Sequence, residues 1–269
     1  MAHRATLCPQ CRQLIGSEES VCSWCGTSRS NPWWHLINAM RGSSGSSRVV
    51  TAILSLNIIY FAISLLLSSR VDSGGGLLSI GQNSLLLLGA SGTIPIERFG
   101  RIWTLLSANY LHGGILHLVF NLMALRQLGP WVVNEYGNSR MVSIYTLGGV
   151  IGYTVSYAAG VPFTVGASAA LCSLIGALLY FGKSRGGGYG GTVFREVGGW
   201  AIGLFIFGLI FPGINNWAHG GGILGGVVMG MLLGYQDKKA ESTFHHLLAL
   251  LCGVLTIGTL VWALFGSLI

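Results

Sequence analysis

Residues 218–235 read Ala-His-Gly-Gly-Gly-Ile-Leu-Gly-Gly-Val-Val-Met-Gly-Met-Leu-Leu-Gly-Tyr, a stretch with seven glycines and no charged side chain. In water each of those glycines would weaken a helix by about 1 kcal/mol relative to alanine. In lipid the same glycines let helix backbones approach one another closely. The stretch therefore reads as a membrane span. Working outward, six more apolar runs fall at about 50–69, 113–133, 141–160, 163–182, 197–212 and 247–269. Each is long enough, or nearly so, to cross a bilayer as a helix. Composition agrees, because the 269 residues are 51% hydrophobic and only 9% charged, against roughly 25% charged in a soluble domain. An ordinary soluble protein, a disordered chain and a coiled coil are all excluded.

The chain carries 15 Lys and Arg against 8 Asp and Glu, a net charge of +7. A basic balance suits either nucleic acid or a membrane surface, and placement decides between them. With the N-terminus in the cytoplasm, only Arg70, Arg98 and Arg101 fall on the outer side, all in the segment 70–112. That asymmetry is a topology signal, so no nucleic-acid partner is expected. The segment 70–112 is too long for a turn and contains Leu85–Leu88; it reads as a folded loop at the membrane surface. All eight acids (Glu18, Glu19, Asp72, Glu97, Glu135, Glu196, Asp237 and Glu241) are expected outside the spans. A transporter or an aspartyl protease that uses intramembrane carboxylates is thereby disfavoured. No inverted repeat supports a transporter, and the His-Glu-x-x-His pattern of a zinc protease is missing.

Three groups remain that could do chemistry. His117 and Asn121 are four apart near the outer end of the second run, hence on one helix face. His219 opens the sixth run from the same side, and Ser168, in Gly166-Ala167-Ser168-Ala169, stands four residues into the fourth. All would lie about 5–10 Å below the outer surface at 1.5 Å per residue. Singly, each has a bland reading, since a Ser in an apolar helix bonds back to its own carbonyls. Together they read differently. Gly222 and Gly226 share the face of His219, while Cys172 and Gly176 share that of Ser168. Two small faces in contact would bring Ser168 and His219 within hydrogen-bond reach, the arrangement that activates a weak hydroxyl nucleophile.

These residues resemble the rhomboid family of intramembrane serine proteases over about residues 50–240. The resemblance rests on His117-x-x-x-Asn121, Gly166-x-Ser168 and Ala218-His219-x-x-Gly222-x-x-x-Gly226, with Leu111-His112-Gly113-Gly114 ahead of them. It implies an all-α membrane protein, a bundle of six core transmembrane helices plus one more at the C-terminus over 241–269. It implies Ser168 as nucleophile and His219 as general base, with no cofactor. An oxyanion hole would come from His117, Asn121 and the Ser168 N–H, and Gly166, Gly222 and Gly226 would support the pair. Substrates would be transmembrane segments of other proteins, met in the bilayer of the cell (inner or plasma) membrane and cut near its outer face. A client-binding relative without activity is the alternative, opposed by retention of all four reactive groups. Departures from the family are Ala169 in place of a common Gly, which is expected to crowd the oxyanion site, Cys172 in place of an aromatic, and Trp103-Thr104 in place of Trp-Arg. Gly89-Ala90-Ser91-Gly92 matches the serine motif better but precedes any fourth span, and reads as loop.

At the N-terminus, Cys8-Pro9-Gln10-Cys11 and Cys22-Ser23-Trp24-Cys25 form two Cys-x-x-Cys knuckles. Cys8, Cys11, Cys22 and Cys25 suit one tetrahedral zinc, with rubredoxin-like iron as runner-up, and a reducing cytoplasm disfavours disulfides. Residues 1–34 are expected to be a small zinc-ribbon-like module whose unidentified partner would be cytoplasmic. Residues 35–49, Gly/Ser-rich, read as its linker. The first 49 residues also lack the short apolar stretch of a signal peptide.

Overall fold

The computed structural model describes residues 5–7, 14–16, 19–24, 26, 28, 48–72, 78–211 and 213–266. The chain divides into two units, 1–46 and 47–269. In the first, β1 (Ala5–Leu7) pairs antiparallel with β2 (Leu14–Gly16), Ala5 opposite Gly16, and Val21 bridges Ser28. Ile15 and Cys22 are buried. Cys8, Cys11 and Cys25 lie outside the described residues, and no metal-holding group of His, Cys, Asp or Glu occurs among the described ones.

The second unit is helical. Its long helices are α1 (Arg48–Val71), α4 (Ile115–Tyr136), α5 (Asn138–Ala158), α6 (Ser168–Arg185), α7 (Gly187–Ile210), α8 (Asn216–Leu233) and α9 (Thr243–Gly266). Between α1 and α4 come α2 (Gln82–Leu87), a π-helical turn Ile94–Arg98, α3 (Thr104–Ser107) and a 3₁₀ turn Ala108–Tyr110. This loop is tied down by buried hydroxyls: Tyr60 donates to the Leu88 carbonyl (2.7 Å) and Ser107 to that of Gly89 (2.8 Å). Where α1 ends, Asp72 accepts from the Ser84 hydroxyl (2.6 Å) and from Ser68 (3.2 Å). Those bonds, that of Ser84 first, hold the Asp72 carboxyl below the ordinary value.

Three helices, α1, α7 and α9, are apolar enough by composition to cross a membrane alone. Of the others, α5 and α6 bury more than half of their residues, so fewer of their side chains face lipid. Residues Ala169–Leu178 of α6 are all buried, whereas α7 buries only Gly190, Val193 and Val197. The outward surface carries Phe120, Ile202, Phe205, Leu209, Leu250 and Trp262, each more than half exposed. Such a surface is soluble only in lipid.

The inner packing is set by glycine. A methyl on Gly222 would overlap the Ala169 carbonyl, and one on Gly226 the Ser173 carbonyl, so α8 lies backbone to backbone on α6. Forcing larger side chains into such a contact costs about 1–3 kcal/mol or more. Buried hydroxyls then satisfy carbonyls between helices, Ser173 on Ile144 of α5 (2.8 Å) and Tyr136 on Ala177 of α6 (2.7 Å).

Several boundaries differ from the sequence reading. The fourth run is helical only from Ser168; Gly166 adopts φ +131°, a conformation open to glycine and strained for other residues, so 163–167 approach as irregular backbone. Helix α7 starts ten residues earlier than expected, and its first turn packs on α6 through Gly190, where a methyl would lie 2.7 Å from the Gly182 carbonyl. Those longer helices also take in two acids. Glu135 sits in the last turn of α4, accepting from Tyr189 (2.6 Å), and Glu196 lies on α7. At that same end Arg140 is fully buried and donates to the carbonyls of Tyr136, Lys239 and Ala240, while Glu241 accepts from the N–H groups of Ser139 and Arg140. These contacts fasten the start of α9 to the α4–α5 turn.

Candidate active site

Helices α4, α6 and α8 all begin at one end of the bundle, so their first turns meet. Ser168 is the first residue of α6 and His219 lies in the first turn of α8. The His219 Nε2 is 2.9 Å from the Ser168 Oγ, within hydrogen-bond range. No carboxylate orients the imidazole, since its Nδ1 is buried without a hydrogen-bond partner.

His117 and Asn121 approach from α4. A methyl on Gly166 would lie 2.6 Å from the His117 Nε2 and 3.6 Å from the Ser168 Oγ, so the imidazole rests directly on the Gly166 backbone beside the hydroxyl. Asn121 is buried and donates one Nδ2 proton to the His117 carbonyl of its own helix (2.8 Å). Its second proton is left for another acceptor. The Ser168 N–H, first in α6, has no carbonyl of that helix to bond, and the helix end adds positive potential there. Behind His117 stands His112, fully buried and edge-on, with ring centroids 5.1 Å apart. Burial, and then His117 beside it, push its pKa down to about 3.

Ser168, His219, His117 and Asn121 all line one cavity of about 1240 Å³. It runs between α4 and α7, past Phe120 and Leu128 on one wall and Trp200 and Phe207 on the other. No Asp or Glu lines it among the described residues. The acids that entered the helices, Glu135 and Glu196, thus lie away from it.

The backbone before Ser168 is held on both sides. Thr164 N–H donates to Ser91 O (2.8 Å) and Ser91 N–H to Thr164 O (3.0 Å); Gly166 N–H donates to Ala108 O (2.9 Å). Ser91, the rival serine, is therefore a fully buried loop residue that braces the segment. Tyr153 of α5 donates to the Gly166 carbonyl (2.6 Å). The sequence reading missed Tyr153, and nothing in an apolar helix distinguishes a tyrosine with a buried acceptor from one without. Ala169, expected to crowd the oxyanion site, is fully buried in a cluster with Ala108, Tyr153 and Ala218 and is absent from the cavity wall. Cys172 is likewise buried and absent from the cavity wall.

The Rhomboid domain family matches residues 100–236, about half of the chain. Rhomboid protease GluP of Bacillus subtilis (strain 168) is 32% identical over 211 residues, covering 77% of this chain and 40% of that protein. RHOMBOID-like protein 4 of Arabidopsis thaliana is 32% identical over 158 residues, 57% and 40% of the two chains. Rhomboid-like protease 5 of Toxoplasma gondii is 30% identical over 179 residues, 58% and 20%. The chain thus spans well under two thirds of the length of these relatives.

Proposed function

This chain belongs to the rhomboid family and is a multi-pass membrane protein, and from that premise we propose that it is an intramembrane serine endopeptidase working through a Ser168–His219 dyad. The observation that carries the reading is the 2.9 Å approach of His219 Nε2 to Ser168 Oγ at the wall of a carboxylate-free cavity. In this reaction Ser168 Oγ attacks the scissile carbonyl as its proton passes to His219 Nε2. The carbonyl oxygen becomes an oxyanion that accepts from the Ser168 N–H, the Asn121 Nδ2 and the His117 ring. His219 then hands the proton to the departing amine, and water, deprotonated in turn by His219, hydrolyses the acyl-enzyme and frees Ser168.

The opening of the cavity between α4 and α7 supports a transmembrane segment as substrate. An intact helix hides its amides in internal hydrogen bonds, so a cleavable span must unwind at its outer end. Spans with Gly, Pro or polar residues there are expected to be cut near that end, at a small residue, whereas a uniform poly-Leu span is expected to resist. Mass spectrometry of the released fragment checks this, and efficient cutting of poly-Leu contradicts it. The inner placement of basic residues supports a cytoplasmic N-terminus in the cell (inner or plasma) membrane, with the site toward the outer face.

The domain division follows the same reading: a cytoplasmic zinc-ribbon-like module at 1–34, a linker at 35–49, the protease core at 50–240 and a further helix at 241–269. In sequence, Cys8 and Cys11 fall between β1 and β2, and Cys22 and Cys25 between the bridged Val21 and Ser28. Two such Cys-x-x-Cys pairs suit tetrahedral zinc. Zinc there would hold a unit too small to bury its own core. Elemental analysis is expected to find one zinc per chain, lost on deletion of 1–34, with cleavage of a detergent-solubilised substrate nearly unchanged. Zinc missing from the intact protein, or retained after the deletion, overturns the assignment.

A further inference from the structure

A serine–histidine pair without a third member has an orientation problem. In a triad an acid holds the imidazole through Nδ1, yet the His219 Nδ1 has no hydrogen-bond partner. The ring must be aimed by its backbone, and His219 sits in the first turn of α8, the part of a helix most prone to fray. The close backbone packing of α8 on α6 begins at Gly222, three residues further on, and before the histidine α8 buries only Ala218, against Ala169 and Tyr153.

Asn215 supplies the missing constraint. Its Oδ1 accepts from the Ala218 N–H (3.0 Å), capping α8 one residue before the histidine, and its own carbonyl accepts from the His219 N–H (3.1 Å). Its Nδ2 donates to the Ser156 hydroxyl of α5 (2.6 Å) and to the Thr164 hydroxyl (3.0 Å). Ser156 is fully buried and Thr164 nearly so. Thr164 stands four residues before Ser168, and Asn215 four before His219. One carboxamide therefore joins the segment that leads into the nucleophile to the turn that carries the base, with α5 as the common anchor.

We propose that Asn215 is a positioning residue for the Ser168–His219 pair, fixing through the backbone what a third triad member fixes through the imidazole. The proposal rests on the protease reading above. A displacement of about 1 Å in such a pair is enough to cost on the order of 10²-fold in rate, so a cap alone, which lets α8 form but leaves it unlinked to Thr164, does not suffice.

The test uses the full-length protein in detergent or proteoliposomes, with the rate of labelling by a fluorophosphonate as a readout of how well Ser168 and His219 are aligned. Asn215→Ser keeps an N-cap oxygen but is too short to reach both hydroxyls, and Thr164→Val removes the acceptor on the nucleophile side while keeping the shape. Each is expected to slow labelling and kcat about tenfold with KM within twofold and the unfolding midpoint nearly unchanged. Because both remove the Asn215–Thr164 link, the double variant is expected to be little slower than Asn215→Ser alone. Full labelling by Asn215→Ser, effects that multiply in the double variant, or losses that merely track thermal stability overturn the inference alone. A wild-type protein that neither labels nor cleaves sinks the protease reading and this inference with it.

Discussion

Ser168→Ala is expected to reduce cleavage of a transmembrane substrate to background, a loss on the order of 10⁴-fold or more, as removal of a nucleophile does elsewhere. The folded state should scarcely notice. Ser168 is half-buried at a cavity wall, its side chain is hydrogen-bonded to His219, and an alanine at the first position of a helix is well tolerated. The control is Ser91→Ala. Ser91 meets Thr164 through backbone atoms only, and its hydroxyl contributes one long 3.4 Å contact with Thr104. Its replacement is expected to leave most of the activity, measured by gel or fluorescence assay on the same substrate. A dead Ser91→Ala beside an active Ser168→Ala reverses the assignment.

Asn121→Ala is expected to lower kcat by about 10²–10³, the usual effect of removing one oxyanion donor. The structure separates this loss from a folding defect. Asn121 spends one proton on a carbonyl of its own helix, a bond whose net contribution is about 0.5–1.5 kcal/mol. Its other proton is the one assigned to the oxyanion. Kinetics and thermal unfolding on the same preparation check the prediction, and equal proportional losses in both would favour a purely structural asparagine.

How far the sequence carried differs from residue to residue. Ser168, His219, His117 and Asn121 were legible because helix spacing and the alternation of spans bring them to one end of the bundle without knowledge of tertiary contacts. Gly222 and Gly226 were legible for the same reason, since a small-residue stripe has one use in lipid. The start of α6 was not. Phe163 and Val165 are as apolar as the helix that follows, and periodicity does not distinguish a short extended approach from a first helical turn. Only the positive φ of Gly166 separates them. The early start of α7 was missed because the glycine-rich stretch 186–191 reads as a breaker in water, whereas Gly190 packs on the Gly182 carbonyl of α6. Tyr153 and the links of Asn215 depend on which helices become neighbours, although an asparagine just before an apolar helix does carry a capping signal.

Ser168, activated by His219, is the group expected to react. The most direct measurement is to label the purified full-length protein with a fluorophosphonate, digest it, and locate the modified residue by mass spectrometry. One adduct is expected, on Ser168, forming in step with the loss of cleavage and failing to form in His219→Ala. An adduct on Ser91 or another residue, or unlabelled Ser168 in protein that still cleaves its substrate, would contradict that expectation.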